Sequence, residues 1–145
     1  MVALLDVNLL VALFDPAHVH HDPAHTWFGK NRARGWATCA LTENAFVRIL
    51  ASPAYPGRRT TVQDATSRLA RFCASGGHAF WAEVVSLRDD GRFRLNHVQG
   101  HRQLVDVYLL ALAVQQRGRL ATFDGSIPVH AVAGGEPAHL AVIRA

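Results

Sequence analysis

Lysine is almost absent from this chain. It occurs once, at Lys30, so every other member of the 15 basic residues is an arginine. Planar guanidinium forks suit phosphate, and a formal net charge of +4 is compatible with a nucleic-acid partner without identifying one. Cysteine occurs only twice, at Cys39 and Cys73. Both lie in apolar surroundings and make no CxxC pair, which favours reduced core thiols over any cysteine chemistry. No apolar run approaches the roughly 18 residues of a transmembrane helix, and Asp6 interrupts the N-terminal stretch where a signal peptide needs unbroken apolar sequence. The chain is therefore expected to be soluble and cytoplasmic, with no membrane partner. Acids are scarce as well, 11 in 145 residues, so their positions carry information.

What is present is a hydrophobic half of the composition, enough for one domain spanning 1–145 with a single sizeable core. Val2 to Leu5 is a short apolar run, the pattern of a strand buried on both faces, and it ends on Asp6. A short apolar helix is expected from Val7 to Phe14. A second helix is expected with Asp22 as its cap, Pro23 at its first position and Gly35 as its stop. The sequence Asp-Pro-Ala-His occurs at 15 to 18 and again at 22 to 25, two similar turn and helix-start signals too few for a repeat architecture. Trp36 to Cys39 predicts a second strand, leading into a helix from Ala40 to Leu50. Further on, a helix is expected from Thr60 to Ser75, a third strand from Phe80 to Val85, and a turn at Asp89-Asp90-Gly91. His101 to Gln116 is the longest helical pattern, with Gly118 placed to end it. Leu120 to Phe123 and Leu140 to Ile143 complete five strands. Strands alternating with helices predict a parallel sheet covered on both faces.

Ligands of such sheets bind at the carboxyl ends of the strands. Four acids fall there: Asp6 after the first strand, Glu43 in the first turn after the second, Asp106 near a helix start, and Asp124 after the fourth strand. Like charges this close raise one another's pKa unless a cation compensates them. All-oxygen donors suit a hard divalent ion, Mg²⁺ or Mn²⁺, and the implied chemistry is metal-assisted phosphodiester hydrolysis. Singly, each acid has a plainer role. Glu43 can be a favourable charge at a helix N-terminus, Asp124 the start of an Asp-Gly turn, and Asp106 a capped or salt-bridged surface acid. Together they favour a metal site.

Four motifs carry a family resemblance: Leu-Leu-Asp-Val-Asn at 4 to 8, Leu-Thr-Glu-Asn-Ala-Phe-Val-Arg-Ile-Leu at 41 to 50, Leu-Val-Asp-Val-Tyr-Leu-Leu-Ala-Leu-Ala at 104 to 113, and Leu-Ala-Thr-Phe-Asp at 120 to 124. The chain resembles, from end to end, a PIN-domain ribonuclease of the VapC toxin type. The resemblance implies an α/β/α sandwich with strand order 3-2-1-4-5, in which Asp6, Glu43, Asp106 and Asp124 are catalytic and hold the metal. Asn8 and Thr122 match polar positions that help orient them. It further implies Mg²⁺-dependent cleavage of single-stranded RNA, inhibition by a cognate VapB-type antitoxin, and a homodimer. The stretch from Pro53 to Gly100 departs most from the family pattern.

His18, His20, His21 and His25 lack the spacing of a zinc set and read as a solvated turn and helix start. Trp27 and Phe28 read as core. Arg58, Arg59, Arg92, Arg94 and Arg102 are candidate contacts to RNA phosphates, or members of a solvated face. The rival readings are an RNA-processing PIN nuclease without an antitoxin, a phospho-accepting receiver module, and a nucleic-acid-binding module with a dead site. The receiver reading needs a lysine after the last strand, and Lys30 lies in an early helix.

Overall fold

The computed structural model describes residues 1–144. Its five strands are β1 (Ala3–Leu5), β2 (Trp36–Cys39), β3 (His78–Trp81), β4 (Arg119–Thr122) and β5 (Leu140–Val142). They lie in the order β3-β2-β1-β4-β5, and every neighbouring pair is parallel. Parallel neighbours need crossover connections. Helices α1 (Val7–Phe14) and α2 (His21–Asn31) make the first crossover, α3 (Ala40–Ala51) and α4 (Val62–Cys73) the second, and α5 (Leu104–Gln115) the third. The return from β4 to β5 is shorter and uses two 3-10 turns.

Alternate residues of each strand feed opposite faces, as the two-residue period of a strand requires. Leu5, Trp36 and Ala121 pack with Phe28, Phe46 and Leu69 of α2, α3 and α4. Leu4, Ala37 and Leu120 pack with Leu109 and Leu112 of α5. The result is a three-layer α/β/α sandwich, in the strand order the family resemblance implies. β1 is central and wholly buried, which explains its unbroken apolar sequence.

Several local expectations are corrected. Helix α2 starts at His21, with His20 as an N-cap that makes no side-chain capping bond, so Asp22 and Pro23 sit inside the first turn. Proline is tolerated there because first-turn N–H groups have no intrahelical partner. The two Asp-Pro-Ala-His copies differ accordingly: Asp15 Oδ1 accepts from the Ala17 N–H at 2.9 Å in a turn, whereas the second copy is helical. His21 Nδ1 and His25 Nε2 donate to the carbonyls of Ala12 and Leu13 at 2.7 and 2.8 Å, tying α2 to the free C-terminal carbonyls of α1. This gives the two histidines a structural occupation.

The third strand comes earlier than its aromatic and β-branched run suggests. Pairing with the four residues of β2 starts at His78, immediately after Gly76 and Gly77 take positive φ, and ends at Trp81. Helix α5 is preceded by a 3-10 turn at His101–Gln103, so the α-helix starts later than the pattern suggests and Asp106 falls in its first turn. Gly118 is not the left-handed residue after α5; Arg117 is, at φ 57°. Gly118 is needed for space, because a Cβ there would stand 2.5 Å from the Val2 carbonyl oxygen and 2.7 Å from the Trp81 ring.

Candidate active site

Asp6 follows β1 directly, becomes the N-cap of α1, and is 6% exposed. Each of its oxygens receives a donor. The Val7 N–H reaches Oδ1 at 2.7 Å, and the Thr122 hydroxyl reaches Oδ2 at 2.7 Å from the end of the adjacent strand β4. The Thr122 oxygen in turn accepts from the Asp124 N–H at 3.1 Å. Asp124 Oδ1 is fixed by the N–H and hydroxyl of Ser126, at 2.8 and 2.6 Å. Asp106 enters from the first turn of α5, and among the described residues no hydrogen-bond donor supports its carboxylate.

The electrostatics follow from this geometry. Burial pushes the Asp106 carboxyl up to about 7, and the charges of Asp6 and Asp124 push in the same direction. Burial also raises Asp6, against the donors from Thr122 and Val7, with Asp124 adding to the rise. The three aspartates are therefore close enough to repel. Among the described residues the one ion pair is Arg92 to Asp89 at 3.7 Å, so no basic side chain neutralises the trio. A set of carboxylate oxygens short of positive charge fits a hard divalent cation.

Glu43 has other neighbours. It lies in the first turn of α3, where its Oε2 accepts from the Thr38 hydroxyl at 2.7 Å. It is not among the charges that act on Asp6 or Asp106. Thr38 Oγ1 also lies 2.7 Å from His78 Nε2, and ligand atoms of Glu43, Cys73 and His78 all fall within 4.8 Å of one another. Burial pushes the Cys73 thiol up and the His78 imidazole down, with Glu43 raising both. Cys39 is a buried thiol as the sequence suggests, but Cys73 is only partly buried.

Thr38, Cys73 and His78 were not legible as neighbours of Glu43. The available signal was Thr38 itself, the one hydroxyl in a wholly buried strand. Glu83 was missed too; its Oε2 accepts from the Leu41 N–H at 2.6 Å and so satisfies a free donor at the start of α3.

No family model matches the chain. Known proteins do. Ribonuclease VapC44 of Mycobacterium tuberculosis is 44% identical over 143 residues, covering 99% of this chain and 100% of that one. Ribonuclease VapC39 of the same organism is 41% identical over 134 residues, 92% of this chain and 96% of its own. Ribonuclease VapC38 is 44% identical over 126 residues, 87% of each. The chain belongs to the VapC ribonuclease family.

On this VapC framework the remaining candidates are dispersed. Asn8 is exposed on the first turn of α1, two positions after Asp6. Arg102 is exposed in the 3-10 turn that leads into α5, four positions before Asp106. Arg92 pairs with Asp89, and an Arg94 Nη1 donates to the His130 carbonyl at 3.4 Å. Arg58 and Arg59 line a separate cleft of about 610 Å³ with Arg68, Arg71 and Asp15, where the Tyr55 hydroxyl donates to Asp15. Among the described residues no helix is long and apolar enough to cross a membrane.

Proposed function

We propose that the chain is a Mg²⁺- or Mn²⁺-dependent endoribonuclease that hydrolyses single-stranded RNA and acts as the toxin of a toxin–antitoxin pair in the cytoplasm. Asp6, Glu43, Asp106 and Asp124 are its catalytic acids and hold the ion. One observation carries the reading: Asp106 is driven up to about 7 beside Asp6 and Asp124, with no basic partner for any of the three among the described residues. Such an arrangement costs stability unless a cation is bound.

Asp6 is held by Val7 and Thr122, and Asp124 by Ser126, so two of the carboxylates are oriented before any ligand arrives. Raised to about 7, the Asp106 carboxyl is only partly ionised at neutral pH and would release its remaining proton to solvent on binding a cation, so ion binding and proton release are linked. When bound, the ion supplies Lewis acidity towards a phosphoryl oxygen and lowers the pKa of water. Asn8, two positions after Asp6, helps to orient the acids, as Thr122 does; Arg102, Arg58, Arg59, Arg92 and Arg94 contact phosphates of the RNA backbone. The metal-free cleft attracts a cation from a partner protein as well. A VapB-type antitoxin with an Arg or Lys near its C-terminus satisfies that need, and the chain, a single PIN domain, forms a homodimer.

The purified chain should cleave single-stranded RNA with Mg²⁺ or Mn²⁺ and not in EDTA; EDTA-resistant cleavage overturns the metal-dependent reading. Expressed without its antitoxin it should inhibit translation and arrest growth. Harmless overexpression of intact protein, confirmed by blotting, removes the toxin role.

A further inference from the structure

We infer that Glu43, Cys73 and His78 form a second metal site, of a different chemical class from the aspartate cluster, that takes a borderline-soft divalent transition metal such as Zn²⁺. The three residues come from three elements, α3, α4 and β3. Each offers a ligand atom within 4.8 Å of the other two, and all three are partly exposed, so an ion has a route in. The donor set is a carboxylate oxygen, a thiol sulfur and an imidazole nitrogen. Hard ions select oxygen sets, whereas sulfur with nitrogen selects zinc and its neighbours. Three protein ligands with a fourth position left to water is an ordinary zinc arrangement.

The hydrogen-bond inventory points to the same conclusion. Thr38 is fully buried between Glu43 and His78, and its hydroxyl lies 2.7 Å from each. A hydroxyl has one proton to give. It goes to Glu43, which leaves His78 Nε2 to donate to the Thr38 oxygen. Thr38 is the sole hydrogen-bond donor recorded for the Glu43 carboxylate among the described residues, and no basic side chain pairs with it. The cluster is rich in lone pairs and short of positive charge. Binding a metal ion corrects this. The Cys73 S–H bond breaks and its proton passes to solvent as the sulfur–metal bond forms, the imidazole proton moves to the nitrogen that does not bind, and Thr38 keeps its bond to Glu43. Because Glu43 is then held on the Thr38 side, occupancy also withholds it from the aspartate cluster. This last consequence rests on Glu43 being a catalytic acid; the site itself does not.

The test reads sulfur ligation, not cleavage, so it is independent of the ribonuclease reading. Titrated with Co²⁺ as a spectroscopic substitute for Zn²⁺, the wild-type chain should develop a thiolate-to-metal charge-transfer absorption that saturates at a single equivalent and disappears when Zn²⁺ is added. Cys73→Ser and His78→Gln, each checked for folding by circular dichroism, should lose that absorption, whereas Asp106→Asn should keep it. On the unmodified wild type, Zn²⁺ but not Mg²⁺ should slow alkylation of Cys73, followed by peptide mass, in proportion to the fraction of sites filled. No charge-transfer band in the wild type, a band that survives Cys73→Ser, or alkylation indifferent to Zn²⁺ overturns the proposal.

Discussion

Replacing Asp106 by Asn removes a charge from the aspartate cluster while keeping nearly the same shape, and the effect on stability can be worked from the structure. The folded-state pKa of Asp106 stands at about 7 against an ordinary 3.8. A carboxyl raised in this way binds more protons in the folded than in the unfolded chain across that interval, so stability falls as pH rises through it. Well below pH 3.8 both states are protonated and the group is neutral in its effect. Above about pH 7 the penalty is complete. At about 1.4 kcal/mol for each tenfold change in proton affinity, the ceiling is about 4 kcal/mol. Asp106 is only half-buried, and solvent screening reduces this to about 1–2 kcal/mol. The assay is thermal unfolding in EDTA across pH 4 to 8. Wild type and Asp106→Asn should melt together near pH 4 and diverge as pH rises, with the mutant more stable at pH 8 by a few degrees, about 2–4 °C per kcal/mol for a chain of this size. A mutant that melts lower than wild type at pH 8 refutes the reasoning and makes Asp106 part of the scaffold.

Thr122→Val removes the donor to Asp6 Oδ2 and the acceptor for the Asp124 N–H, so urea unfolding should show a loss of about 1–3 kcal/mol, and unchanged stability would deny Thr122 its role in holding the site. Gly118→Ala places a Cβ 2.5 Å from the Val2 carbonyl, where it must force backbone apart at a cost of about 1–3 kcal/mol or more; an unaffected melting temperature would show that the β1 to β4 junction is loose. Mg²⁺ should raise the melting temperature of the wild type and raise that of Asp106→Asn much less, since only binding to the folded state stabilises it; equal shifts would place the ion elsewhere.

The alternation of strands and helices and the three aspartates at one edge were legible because each rests on a strong local pattern, whereas the order of the strands came from the family resemblance. Val2 to Leu5 and Leu120 to Thr122 are apolar runs ended by polar residues, and α5 is apolar nearly all round because it packs with Phe93, Ile127 and Val132 as well as with the sheet. Element ends were less legible where tertiary contacts decide them. Helix α2 starts at His21 while His21 and His25 reach back to the carbonyls of α1, and β3 stops at Trp81 because β2 has no more residues to pair. Glu43 shows the limit most clearly. Its place on α3 could be read from helical spacing, but its neighbours come from residues 38, 73 and 78. Nothing in their spacing along the chain reveals that α4 and β3 bring a thiol and an imidazole to it.

The central claim is that the aspartate cluster serves hydrolysis of RNA by water. It is tested most directly by cleaving an end-labelled single-stranded RNA in ¹⁸O-water with Mg²⁺, using wild type and Asp106→Asn side by side, and analysing the new ends. The wild type should leave a 5′-phosphate carrying ¹⁸O and a 3′-hydroxyl, and the mutant should not cleave. A 2′,3′-cyclic phosphate without ¹⁸O, or equal cleavage by Asp106→Asn, would contradict it.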